Sequence, residues 1–153
     1  MIIKKLRTMI GTYNGQVNKN NKPHGKGTYT HANGDKYKGE YKNGKRNGQG
    51  ILIYRSGWKY TGEFRNDKQH GQGTLIHRVG TKYIGEYKNG LMNGKGTLIF
   101  TSGDNYSGEW KKGYYHGQGT FTYMDGKVEK GTWKNGDFVG KKMNKKIKLQ
   151  KRQ

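Results

Sequence analysis

Glycine recurs along this chain at one fixed interval. Gly39, Gly62, Gly85, Gly108 and Gly131 lie 23 residues apart, and the same spacing relates Gly48, Gly71, Gly94 and Gly117, then Gly50, Gly73, Gly96 and Gly119, then Gly34, Gly57, Gly80, Gly103 and Gly126. Four parallel series at one period mark a tandem array, in which each unit is one supersecondary element that buries its apolar face only by stacking on its neighbours. The residues around the glycines recur with them. Tyr37-Lys38-Gly39-Glu40-Tyr41 is followed at the same interval by Tyr60-Thr61-Gly62-Glu63-Phe64, Tyr83-Ile84-Gly85-Glu86-Tyr87 and Tyr106-Ser107-Gly108-Glu109-Trp110. Each block leads through a turn to Gly-x-Gly and an apolar or threonine-rich run, such as Gly50-Ile51-Leu52-Ile53-Tyr54 or Gly119-Thr120-Phe121-Thr122-Tyr123.

Both halves of the unit alternate with the period of two that a strand requires. Tyr37, Gly39 and Tyr41 fall on one face and Lys38, Glu40 and Lys42 on the other; Gly50, Leu52 and Tyr54 share a face that Ile51 and Ile53 oppose. Asn43-Gly44, Asn89-Gly90, Lys112-Gly113 and Asn135-Gly136 separate the halves, and such pairs tolerate the positive φ of a tight hairpin turn. The predicted fold is therefore all-β: an elongated, twisted single antiparallel sheet of tandem hairpins. Nothing in the sequence supplies a second layer, so the ring-bearing face must bury itself by curvature. Rings beside glycines on the same face recover the packing that glycine lacks.

The array runs over residues 13–140, as five units and a partial sixth. The first, from Tyr13, has Gln16-Val17 where its successors have Glu and an aromatic, and one extra residue in the turn around Asn18–Pro23. The last has Glu129 at the opening tyrosine position. Residues 1–12, with Ile2, Ile3, Leu6, Met9 and Ile10, are assigned to an N-terminal cap. Residues 141–153 form a basic tail or cap, in which Met143 and Ile147 suit a short helix over the last hairpin or against an anionic membrane.

The repeated block Tyr-x-Gly-Glu-aromatic, a turn, Gly-x-Gly-x-Leu and a closing glycine resembles the MORN (membrane occupation and recognition nexus) repeat across residues 13–140. The resemblance implies a grooved antiparallel sheet. It also implies a family whose members bind acidic phospholipid membranes, dock partner proteins in the groove, or carry a separate catalytic domain.

Composition narrows the chemistry. The 153 residues contain no cysteine, which removes disulfides, thiolate catalysis and Cys-based metal sites. Twelve tyrosines, three tryptophans and four phenylalanines argue against reading the 27 glycines as a disordered low-complexity segment. No run approaches the roughly 20 apolar residues of a membrane-spanning helix, and the charged start lacks the apolar stretch of a signal peptide, so a cytoplasmic location, with peripheral membrane attachment open, is expected.

Periodic carboxylates at Glu40, Glu63, Glu86 and Glu109 invite a metal or acid–base reading. One repeat advances two strands, roughly 9–10 Å at ordinary strand spacing, so neighbouring carboxylates cannot share an ion, and local hydrogen bonds and lysine pairing are expected instead. His24, His70 and His116 recur at twice that spacing, and His31 and His77 occupy an aromatic slot. They are read as turn and packing residues, with no metal site, no cofactor and no catalytic activity expected.

Two surfaces remain. The rings Tyr37, Tyr41, Tyr60, Phe64, Tyr83, Tyr87, Tyr106 and Trp110 are expected to line a groove for a protein or peptide partner. Lys42, Arg65, Lys88, Lys111 and Lys134 form a basic column, extended by Lys141, Lys142, Lys145 and Lys146, suited to acidic membrane lipids and less to nucleic acid. The net charge is +21, of which residues 141–153 supply seven bases and no acid. Unpaired end strands leave oligomerisation through the sheet ends open.

Overall fold

The computed structural model describes residues 1–140, and these form one open antiparallel sheet of 13 strands in sequence order, with no crossover. β1 spans Ile2–Thr8, β2 Gly11–Val17, β3 Pro23–His31, β4 Lys36–Lys42, β5 Lys45–Ile53, β6 Trp58–Arg65 and β7 Lys68–His77. β8 spans Lys82–Lys88, β9 Leu91–Ile99, β10 Asn105–Lys111, β11 Tyr114–Thr122, β12 Val128–Lys134 and β13 Asp137–Gly140. Twelve strand spacings give a sheet ~58 Å across, while a nine-residue strand is only ~30 Å long. The molecule is thus extended along its repeat direction. The C-terminal helix read from Met143 and Ile147 lies outside the described residues.

Each unit is a hairpin, and the turn chemistry explains why. Asn43 and Gly44 have φ of 48° and 89°, Asn89 and Gly90 49° and 84°, and Asn135 and Gly136 49° and 90°. Two successive positive φ values define the type I′ turn, whose twist matches that of the flanking strands. The tips also tie unit to unit: the Gly44 N–H donates to the Pro23 carbonyl, Asp67 to Arg46, Gly90 to Gln69, Gly113 to Met92 and Gly136 to Tyr115, at 2.8–3.0 Å. At the opposite ends of the strands, Gly57 (φ 101°) donates to the Tyr54 carbonyl and turns the chain into the next hairpin.

The alternation of faces follows the sequence reading, with one irregularity. Gly39 pairs with Gly50 but Tyr41 pairs with Arg46, so Asn47, Gly48 and Gln49 oppose the single residue Glu40. The same offset appears between Gly62 and Phe64, Gly85 and Tyr87, and Gly108 and Trp110. Bulges of this kind bend a strand and increase local twist.

Residues 1–12 hold the whole of β1 and the start of β2. Rather than closing the sheet, β1 adds one more strand, pairing Leu6 with Tyr13. Leu6 is 23 residues before Tyr29 and so occupies the second-strand position of a degenerate preceding half unit.

Candidate binding surfaces

The large rings on one face of the sheet form one continuous ladder. Tyr13, Tyr41, Tyr37, Phe64, Tyr60, Tyr87, Tyr83, Trp110, Tyr106 and Trp133 follow one another edge to face, with centroids 5.1–5.4 Å apart and planes at 80–88°. Edge-to-face pairs set a positive ring edge against a negative face, each worth ~0.5–1.5 kcal/mol beyond area burial. Each opening tyrosine also donates its hydroxyl to the carbonyl three residues on: Tyr37 to Glu40 at 2.8 Å, Tyr60 to Glu63 at 2.7 Å, Tyr83 to Glu86 at 2.8 Å and Tyr106 to Glu109 at 2.7 Å. The carbonyl freed by the bulge is thereby satisfied. Burial pushes the Tyr37 and Tyr106 hydroxyls up to about 12, and raises Tyr41, Tyr60, Tyr83 and Tyr87 for the same reason.

This burial narrows the expectation that these rings line a groove: Tyr37, Tyr41 and Tyr87 border depressions on their face at 2–8% exposure, whereas Tyr60, Tyr83 and Tyr106 are wholly covered. Tyr60, Tyr83 and Tyr106 are 0% exposed, Tyr37 2%, Phe64 3%, Trp110 5%, Tyr87 6% and Tyr41 8%. A partner cannot touch a ring with no accessible surface. In a sheet without a second layer these side chains are the core, and they are spent on one another. The accessible lining comes from the second strand of each hairpin instead.

Two columns of that strand carry it. Arg46, Gln69, Met92, Tyr115 and Phe138 pair in register with the second ring of each unit and reach over the ladder. The Arg46 guanidinium lies over Tyr37 and Phe64 at 5.6 and 5.2 Å, bridged to Asp67 at 3.5 Å, and Tyr115 stacks on Tyr106 at 4.0 Å. His31, Tyr54, His77, Phe100 and Tyr123 form the other column, at the 23-residue spacing. Two adjoining depressions open between these columns. One, of about 600 Å³, is lined by Tyr29, His31, Arg46, Leu52 and Tyr54; the other, of about 510 Å³, by Trp58, Leu75, Leu91 and Met92. Tyr54 and Gln69 line both and form the wall between them, joined by a 3.1 Å hydrogen bond. The signal for these residues was in the sequence: the same period runs through the turn-proximal positions, but its side chains change chemistry from unit to unit and so do not read as a motif.

Three of the four periodic glutamates make the same backbone contact. Glu40 Oε2 accepts the Gln49 backbone N–H, Glu86 that of Lys95, and Glu109 that of Gln118, each capping a donor the bulge leaves free. Gln16 does the same for Lys26 at 2.7 Å with a neutral amide. The expected pairing of these carboxylates with the basic column is not found: among the described residues the one ion pair is Arg46 with Asp67. His24 Nδ1 accepts the Asn43 N–H at 3.1 Å, and His77 lies against Trp58 at 4.7 Å while accepting the Val79 N–H. Among the described residues no three His, Asp or Glu side chains come together as metal ligands.

Lys42, Arg65, Lys88, Lys111 and Lys134 are all exposed and stand beside the hairpin tips along one long side of the sheet. In two units the column is doubled, since Lys42 pairs across with Lys45 and Arg65 with Lys68. Like charges directly opposite each other disfavour the sheet. Lys141, Lys142, Lys145 and Lys146 lie outside the described residues. On the face opposite the rings Lys36, Ile53, Lys59, Ile76, Lys82 and Ile99 stand opposite one another in a row across successive strands. Ile53 in that row is 47% exposed. Among the described residues no helix is long and apolar enough to cross a membrane.

Comparison with curated proteins gives no match. The family model described as MORN repeat matches five consecutive stretches, residues 13–36, 37–59, 60–82, 83–105 and 106–128. Each stretch begins at the opening tyrosine of a structural unit. MORN repeats occur in repeat proteins that mediate protein and membrane interactions. Period, ring ladder, paired glycines and family match agree along most of the chain, which belongs to the MORN-repeat family.

Proposed function

We propose that the chain is a non-catalytic scaffold that holds a partner protein in the groove above its ring ladder. The observation that carries this reading is the pair of adjoining depressions on the ring-bearing face, floored by buried rings and lined by Tyr54, Trp58, Leu75, Leu91 and Met92. The floor is locked by edge-to-face packing and bulge hydrogen bonds, so the groove exists before a partner arrives and little ordering entropy is lost on docking. One depression is lined mainly by apolar and aromatic side chains, while the other mixes rings with His31, Asp35, Lys36, Arg46, Asp67 and Gln69, a combination of packing surface and polar anchors suited to a peptide.

A photo-crosslinking side chain placed at Met92 is expected to capture a partner in cells, whereas the same group at Ile84 on the opposite face is not. Leu75→Glu, with the sheet intact by circular dichroism, is expected to abolish that capture. Capture from Ile84 alone, or capture indifferent to Leu75→Glu, overturns the reading.

The doubled basic column favours a second reading, attachment to an acidic membrane surface. Exposed cations without acidic partners attract anionic headgroups at ~1 kcal/mol each near the surface. Flotation with phosphoinositide vesicles at ~0.15 M salt, where charges more than ~8 Å apart are screened, decides it: absence of binding there excludes this reading.

A further inference from the structure

The outer edge of β1 is a strand with no partner among the described residues. The sheet order begins at β1, whose seven residues pair with β2 without a register break. The two-residue connection Met9–Ile10 makes Thr8 and Gly11 the hydrogen-bonded pair that closes this hairpin, so bonded pairs alternate back along the strand at Leu6, Lys4 and Ile2. Ile3, Lys5 and Arg7 therefore direct their N–H and C=O groups outward. Natural edges are blunted by proline, bulges, shortness or charged side chains, lysine above all. β1 has neither proline nor bulge and exposes Ile2 at 66% and Ile3 at 70%, so what guards it is the charge of Lys4, Lys5 and Arg7, which repels a basic strand and admits an acidic one.

Charge decides what such an edge can take. The first acidic residue of the chain is Asp35, so β1, β2 and β3 together with their turns carry six Lys and Arg and no Asp or Glu. A second copy of β1 fits poorly: two-fold antiparallel pairing centred on Lys4 or Lys5 sets that lysine against itself, and pairing centred on Leu6 sets Lys5 against Arg7. Residues 141–153 are themselves basic, with seven Lys and Arg and no acid, so they do not complement the edge either. We propose that β1 is a docking edge for an extended, acidic segment of a partner protein, which adds to the sheet as a fourteenth strand. Carboxylates face Lys4, Lys5 and Arg7, and apolar side chains lie against Ile2, Ile3 and Leu6. Main-chain hydrogen bonds to Ile3, Lys5 and Arg7 supply affinity, and the carboxylates supply direction and choice. This surface stands at the end of the sheet and is independent of the groove.

The probe is the acetylated, amidated peptide Thr-Glu-Val-Glu-Glu-Val-Ile, written antiparallel to β1 and added to the full-length chain. Binding is expected to slow amide exchange at Ile3, Lys5 and Arg7 selectively. Methylating the peptide amides that face those residues is expected to weaken binding about tenfold, as is Lys5→Pro, each removing main-chain hydrogen bonds at constant peptide charge or intact inner pairing. Lys5→Glu with Arg7→Glu, which leaves the strand able to form, is expected to reverse the preference toward a peptide with lysines in place of glutamates. Equal binding of the methylated peptide reduces the contact to charge attraction and overturns strand addition. Absence of protection overturns it too, and protection that grows with protein concentration in the free chain gives the edge to a second copy.

Discussion

At the residue scale, the glycines divide into those that a neighbouring ring requires and those that only a turn requires. A Cβ on Gly50 would collide with the Tyr37 ring and hydroxyl, whereas one on Gly113 meets nothing within 4 Å and suffers only from a φ of 84°. Gly50→Ala is therefore expected to cost about 1–3 kcal/mol by overpacking, and Gly113→Ala about 1 kcal/mol by backbone strain; urea denaturation of the two variants checks the order. The buried tyrosines also set an alkaline limit. Tyr37 and Tyr106 are raised by burial from 10.0 to about 12. Because the folded state holds these protons more tightly than the unfolded one, their contribution is fully present below pH 10 and declines as pH rises toward 12. Phenolate absorbance and circular dichroism are expected to change together across that window; full tyrosine ionisation with the sheet retained contradicts this.

At the element scale, the hairpin tip and the bulge are the two devices that fix the register. Lys112 stands at φ 49° where Asn43, Asn89 and Asn135 stand in other units, and a long side chain there pays the left-handed cost that asparagine largely avoids. Lys112→Asn is expected to stabilise the protein by about 0.5–1 kcal/mol, read as a higher urea midpoint at constant m-value. At the bulge, the Gln16 amide performs the task of the glutamates. Glu86→Gln is thus expected to change the urea midpoint little, while Glu86→Ala leaves the Lys95 N–H without its acceptor at about 1 kcal/mol. Equal losses in both variants would mean that the carboxylate charge matters rather than the hydrogen bond.

At the scale of the whole molecule, each hairpin touches only its neighbours, so stability is a sum over units and their interfaces. Deleting residues 60–82, one full period, joins Lys59 to Tyr83, which takes the place of Tyr60, and restores every register pair. The shortened chain is expected to remain folded, with a urea m-value reduced in proportion to the surface lost. The ends behave differently from the body. Gly27 is held to glycine because a Cβ would strike the Tyr13 ring. The equivalent position in β1 is Lys4, 23 residues earlier, and no described strand stands beyond it to lay a ring there. Lost glycines concealed β1 in the sequence, and among the described residues no strand covers its edge.

What the sequence determined by itself is everything repeated: the 23-residue hairpin, its two faces, the positive-φ turns and the pairing of rings with glycines. Period-two alternation and turn chemistry are local, and a local rule repeated at fixed spacing leaves one sheet as its solution. Tertiary structure decided what the repeats leave accessible. Tyr37, Tyr60, Tyr83 and Tyr106 read as an exposed lining because alternation assigns a face but not the depth on it. Their burial depends on the bulge at Glu40 and its equivalents, which brings Arg46, Gln69, Met92 and Tyr115 over the rings. That two-residue offset between strands is a property of the pairing, invisible in either strand alone. It sets the variable side chains of the second strand above the repeated rings, so that the accessible lining of the candidate groove differs from one repeat to the next.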